Sequence, residues 1–282
     1  MTVGYTIGVD LGTSGTKLAA QGDRGLALQR RPTVRGETLT ARAVEDFLAW
    51  AAIPRQEVDR LVLTGVRTSF LSRPLLGLPT FTVPEFEAIG RGGLSVSGLE
   101  QALVVSMGTG TALVLAGPEG CAHLGGSGMG GGALRGLGRL LLGEDRPDQI
   151  GQLAARGRPE KVDLLMGDIC KVDLPNLQRD MTAANFGHVA PDAAPEDIAL
   201  GLVTMVLQSA GLAASFTLRG ESVKDVVLTG ALTQLPQAGE QFAFMGECFG
   251  LGFHLPEMGP YATALGAVLC PEESQVEIQA DG

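Results

Sequence analysis

The sequence predicts an α/β protein in which one structural plan is used twice. Residues 4–65 read as strand, strand, strand, helix, strand. An apolar strand, a Gly-Thr turn and a second apolar strand then recur at residues 101–117, the signature of a weak internal duplication. No Pro/Ser-rich linker separates the two halves, so any two units must lie in intimate contact.

In chain order, "YTIGVD" is an apolar, β-branched strand, "TKLAAQ" a second, and "GDRG" turns into a third. A helix follows around "TARAVEDFLAWAA", with Val44, Phe47, Leu48 and Ala51 on one face. "RLVLTG" is the next buried strand. Thr80–Val83 is a strand that breaks into a helix at Pro84, where proline suits a first turn and the glutamates suit the positive helix end. "ALVVS" and "TALVLA" are strands joined by "MGTG", and the glycine cluster of residues 125–138 leads into the helix "ALRGLGRLLLG". The remainder reads as mainly helical. "RPDQIGQLAARG" and "KVDLLMGDIC" are short amphipathic pieces, and residues 194–220 form a long helix apolar around most of its circumference, hence well buried. "VKDVVLTG" is a late strand, and "YATALGAVL" a small-residue helix suited to close packing.

Composition narrows the function classes. With 282 residues, 45% of them hydrophobic, the chain can bury one large core or two smaller ones. A net charge of −10 disfavours a nucleic-acid partner, which needs a basic face. No run of eighteen apolar residues suggests a membrane span and no signal peptide is expected. The four cysteines form no CxxC pair, so free thiols in a reducing cytoplasm are expected, and three histidines are too few for a histidine-rich metal site.

Several stretches carry candidate chemistry. In "DLGTSGTK", the backbone of a Gly-Thr turn can surround a phosphate, with Thr13, Ser14 and Thr16 as hydroxyl donors and Lys17 as counter-charge. Asp10 at the strand end can hold magnesium. The spacing is not that of a Walker A loop, and the same residues also suit a solvent-exposed hairpin. "SMGTGTA" offers Gly108, Thr109 and Gly110 as a second such turn, and two facing hairpins can clamp one triphosphate. Gly131 and Gly132 open a helix, where a phosphate can approach the backbone. "VLTG", ending at Gly230, could let an adenine lie against the backbone, or be an ordinary strand-to-helix turn. "PEFE" carries Glu85 and Glu87, suited either to accepting a proton from a hydroxyl or simply to complementing the helix dipole.

Taken in order, these motifs resemble the type II pantothenate kinases. "DMTAANFGHVA" is similar to that family's strongly shared segment, "HLGGSGMGGGALRGLGRLL" to its glycine-rich segment, "SMGTGTAL" to its second phosphate loop and "YATALGAVL" to its closing helix. The likeness runs from about residue 4 to residue 270. It implies two ribonuclease-H-like lobes of the actin-like ATPase kind, residues 1–100 and 101–282, with nucleotide in the cleft between them. It also implies Mg-ATP, a homodimer with the helix over residues 198–218 as contributor, a coenzyme A or acyl-CoA regulator, and a cytoplasmic enzyme. The implied reaction is phosphorylation of the terminal hydroxyl of pantothenate. By position Glu85 matches the catalytic base. Gly12, Thr13 and Lys17 match the first phosphate loop and Thr109 the second. Gly131 and Gly132 match glycine-helix contacts to ATP, and Gly230 falls near the adenosine.

Three positions depart from the family pattern. His123 stands where an arginine usually helps bind pantothenate, Ala112 where a serine is frequent, and the first loop reads "GTSGTK" rather than Gly-Gly-Thr. The acceptor is expected beside His123, Gly125 and Gly126, with Arg91 and Arg135 as substitutes for the missing guanidinium. A neutral histidine cannot grip a carboxylate in two places, so other readings stay open: a different small hydroxyl acceptor, or a non-catalytic nucleotide or coenzyme A binder.

Overall fold

The computed structural model describes residues 4–170 and 179–279. In the first lobe β1 (Tyr5–Gly12), β2 (Gly15–Gly22) and β3 (Gly25–Arg31) form an antiparallel meander. Helix α1 (Glu37–Trp50) returns the chain, so that β4 (Val58–Thr64) lies parallel to β1, and β5 (Thr80–Thr82) parallel to β4. Val44, Phe47 and Leu48 of α1 are buried against Ile7, Leu18 and Leu61, as the helical spacing predicts, while Ala51 falls just beyond the helix end.

Helix α2 (Glu85–Ser97) leads into the second lobe, which repeats the plan. Here β6 (Ala102–Met107), β7 (Thr111–Gly117) and β8 (Gly120–Ser127) form the meander. Then come α3 (Gly131–Leu142), α4 (Pro147–Ala154), β9 (Leu164–Leu165), α5 (Met166–Ile169), β10 (Thr182–Ala184) and α6 (Pro195–Thr217). Strand β11 (Asp225–Thr229) pairs parallel with β6, and after α7 (Ala238–Phe249), β12 (Gly252–His254) pairs parallel with β11. The chain closes with α8 (Ala262–Leu269) and β13 (Val276–Glu277). The sheet orders are β13-β5-β4-β1-β2-β3 and β12-β11-β6-β7-β8, so that five strands follow the same order in both lobes.

Two elements cross between the lobes. Ile89 of α2 packs on the second sheet with Val104, Val114 and Val227, while Ala264 and Leu265 of α8 pack on Ala19 in the first. β13 then adds to the first sheet beside β5. The two helices touch so closely that a Cβ on Gly92 would collide with the Ala262 carbonyl, and one on Gly266 with the Ala88 carbonyl. The small-residue pattern of "YATALGAVL" is a requirement of this crossing.

Two expectations change. The stretch Gly120–Ser127 is a strand where the sequence suggests a glycine cluster. Glycine hides it by weakening strand propensity, and a bulge leaves Leu124 unpaired between the partners His123–Val114 and Gly125–Leu113. "KVDLLMGDIC" is not a helix but a two-residue strand and one helical turn, because Leu164 and Leu165 pair with β10. Helix α6 is long and apolar enough by composition to cross a membrane, although no run of eighteen apolar residues occurs in it. Its Leu202, Val203, Val206, Leu207 and Ala210 lie in the core beneath the second sheet.

Candidate active site

Each lobe ends its first hairpin at the same edge. In β1–β2 the register pairs Asp10 with Lys17 and Gly12 with Gly15, leaving Thr13 and Ser14 as the tip. In β6–β7, Met107 pairs with Thr111, leaving Gly108, Thr109 and Gly110. The tips face each other, and the Thr13 and Thr109 hydroxyl oxygens stand 2.7 Å apart. Beneath them lies a cleft of about 240 Å³, lined by Asp10, Gly12, Thr13, Ser14, Lys17, Glu85, Gly108, Thr109, Gly110 and Gly230. Residues from four separate stretches of sequence therefore share one cavity.

Its charges are arranged rather than free. Lys17 donates to Asp10 Oδ2 at 2.9 Å, both side chains being largely buried. No hydrogen bond to Asp10 Oδ1 occurs among the described residues. Glu85 is the first residue of α2, and its carboxyl is pushed above the ordinary glutamate range, first by burial and then by the nearby Asp10 charge. The Lys17 ammonium and the Val66 backbone oppose that rise. Glu85 reaches this place because Val83 extends β5 by donating its N–H to the Leu63 carbonyl, and Pro84 then starts the helix. Glu87, the other acid of "PEFE", is instead tied to Arg91 at 2.6 Å. Among the described residues no group of three or more His, Cys, Asp or Glu could hold a metal ion.

A second cavity, of about 370 Å³, adjoins the first and shares Ser14, Gly108 and Thr109 with it. Gly131 and Gly132 line it, with Ala231, Leu232 and Leu235. The first-turn N–H groups of α3 are already engaged, Gly131 donating to the Gly108 carbonyl and Gly132 to that of Thr109, each at 2.8 Å. These glycines thus brace the second hairpin tip against α3.

The acceptor-side expectations separate from the rest. His123, Gly125 and Gly126 lie on β8 and line neither cavity. His123 stacks on Phe86, ring centroids 3.7 Å apart and planes within 4°, one residue from Glu85. Arg91 is paired with Glu87, and Arg135 lines the larger cavity. Ala112 does line the cleft and pairs with Ser106, which contributes a hydroxyl-bearing side chain from the neighbouring strand.

Sequence reasoning missed Gly65 and Val66, although a repeat pointed to them. "VLTG" occurs twice, ending at Gly65 after β4 and at Gly230 after β11. Both glycines have positive φ, +97° and +89°, and a Cβ would press on the backbone of Leu11 or Met107 in the adjoining hairpin strand. The duplication therefore includes the turn that closes each side of the cleft.

Comparison with known proteins agrees with this geometry. The Fumble family model matches residues 101–269. A type II pantothenate kinase of Oceanobacillus iheyensis is 30% identical over 276 residues, 93% of this chain and 98% of that protein. One of Staphylococcus saprophyticus is 29% identical over 188 residues, 65% of this chain and 67% of its own length. Among solved structures, the activator of 2-hydroxyisocaproyl-CoA dehydratase from Clostridium difficile, with bound ADPNP, superposes with a TM-score of 0.67 at 17% identity, covering 94% of this chain and 93% of that one. Component A of the Acidaminococcus fermentans (R)-2-hydroxyglutaryl-CoA dehydratase gives 0.62 at 18%, covering 94% and 96%. These two establish the fold, the actin-like ATPase arrangement of two α/β lobes.

Proposed function

Since the chain belongs to the Fumble family, we propose that it is a pantothenate kinase, transferring the γ-phosphoryl group of ATP to the terminal hydroxyl of pantothenate at the opening of coenzyme A synthesis. The observation that carries this is the meeting of Glu85, Lys17 and both hairpin tips in one cleft. Glu85 orients the acceptor hydroxyl and accepts its proton as the oxygen attacks the γ-phosphorus and ADP leaves. Its burial and raised pKa suit a base that must work near neutrality. The backbone and hydroxyls of the tips, Gly12, Thr13 and Ser14 on one side and Gly108, Thr109 and Gly110 on the other, hold the phosphates. Lys17 neutralises their charge, and Gly230 borders the nucleoside. Catalysis on this scheme is positioning and charge stabilisation.

Magnesium fits the residues present: Asp10 keeps one oxygen without a hydrogen bond among the described residues, and this ion usually takes one or two carboxylates, with phosphates and water completing its shell. Bound there it would screen the phosphate charge. The reading carries with it a cytoplasmic enzyme, feedback by coenzyme A, and a homodimer through the outer face of α6, where Leu212 and Phe216 are exposed.

Glu85→Gln tests the assignment. Nucleotide affinity should stay within about twofold, while turnover should fall by about 10²–10⁴, the usual worth of a general base. Full activity in that variant would refute the role. A second reading, in which the acceptor lacks a carboxylate, is favoured by the His123–Phe86 stack and the Arg91–Glu87 pair. ADP release with pantothenate and with pantetheine, measured side by side, decides between them.

A further inference from the structure

Three guanidinium groups, of Arg30, Arg135 and Arg146, and two carboxylates, of Asp145 and Asp148, line the larger cavity. Arg30 comes from β3 in the first lobe and Arg135 from α3 in the second, and both line the same 370 Å³ space. Neither forms an ion pair among the described residues, whereas Arg31, Arg91, Arg146 and Arg158 are each held by a carboxylate. Arg30 is folded over the first hairpin tip. One of its nitrogens lies 3.5 Å from the Ser14 carbonyl oxygen, and a Cβ on Gly15 would come within 3.2 Å of its Nε. Arg135 lies one helical turn beyond Gly131 and Gly132, the residues that brace the second tip.

Arg30 and Arg135 enter one cavity from opposite lobes, and neither is paired with Asp145 or Asp148, which also line it, so each keeps donors for an anion entering between them; guanidinium geometry matches phosphate oxygens in particular. The cavity adjoins the phosphate-holding tips through Ser14, Gly108 and Thr109. We propose that Arg30 and Arg135 form a clamp that spans the lobes and grips the diphosphate common to ADP and ATP, so that nucleotide binding draws the lobes together. The clamp rests on the kinase reading for its ligand, but it acts on the nucleotide alone and leaves the acceptor untouched.

Calorimetric titration of the full chain with ADP, a non-hydrolysable ATP analogue and adenosine tests this. Arg30→Gln and Arg135→Gln should each weaken ADP and the analogue about tenfold, which corresponds to about 1.4 kcal/mol. Adenosine affinity should remain within about twofold. In the enzyme assay, KM for ATP should rise while kcat and KM for pantothenate hold. Arg→Lys at either site should restore part of the loss, since the charge returns without the fork. ADP affinity unchanged in both glutamine variants would overturn the clamp, as would an equal loss for adenosine, which would mark a disturbed pocket. Wild-type protein that binds ADP yet phosphorylates no acceptor would refute the kinase reading alone. Wild-type turnover of pantothenate alongside unaltered ADP affinity in the variants would refute the clamp alone.

Discussion

Glu85 sits where its own charge is costly. Burial and the neighbouring Asp10 both favour the protonated form, and only Lys17 and the Val66 backbone pull the other way. Two consequences follow from the sign of that shift. In its proposed role as base Glu85 works ionised, so activity should be lost as pH falls through a value above the ordinary glutamate range; the acidic limb of kcat/KM against pH checks this. In stability, the folded chain keeps this proton where the unfolded chain has already released it. The contribution of Glu85 is therefore fully present below the unfolded pKa and declines as pH rises through the folded one. Glu85→Gln should accordingly melt higher than the parent near pH 8, by scanning calorimetry, even as it loses turnover. Lys17 behaves oppositely. Removing it as Lys17→Met leaves Asp10, 5% exposed, without its partner, and should cost about 3–5 kcal/mol in denaturant unfolding.

At the scale of elements, the crossing of α2 and α8 ties the position of the proposed base to packing. Glu85 and Phe86 begin α2, and α2 is positioned by its contact with α8 through Gly92 and Gly266. Backbone cannot move aside as a flexible side chain can. Gly266→Ala should therefore destabilise at the upper end of the overpacking range, about 3 kcal/mol, and lower kcat by shifting Glu85. A Gly98→Ala control at the end of α2, where a Cβ meets nothing within 4 Å but φ is +71°, should cost stability through the backbone alone and leave kcat near wild type.

For the molecule as a whole, the lobes are joined at more than one point. The chain passes from the first sheet into the second at α2, then returns through α8 and β13 to the first. The first lobe's core is thus completed only when the last elements arrive. Truncation after residue 261 should remove the cover over Ala19 and Val62 and abolish the cooperative transition of the first lobe, read by near-ultraviolet circular dichroism. Saturating nucleotide should instead raise the melting temperature in a single transition, because a ligand held by both tips stabilises both lobes; about 2.7 kcal/mol is expected at a hundred times Kd.

Much of this was legible in the residues themselves. Short apolar, β-branched runs mark β1, β4, β6, β7 and β11, and α1 shows its buried face in the spacing of Val44, Phe47 and Leu48. The twin Gly-Thr turns disclose the duplication, since local turn chemistry needs no distant partner. What stayed hidden depends on contacts far apart in sequence. Strand β8 exists because β7 supplies its hydrogen bonds despite its glycines, and Leu164–Leu165 are extended because β10 lies beside them. Arg135 reads identically as an acceptor-side or a nucleotide-side cation until α3 is placed. The sequence by itself determined the α/β plan, its repetition and the residues able to handle phosphate. Only the tertiary structure decided which of them share a cavity, because a side chain's neighbours, and hence its charge and its chemistry, are set by how separate elements pack.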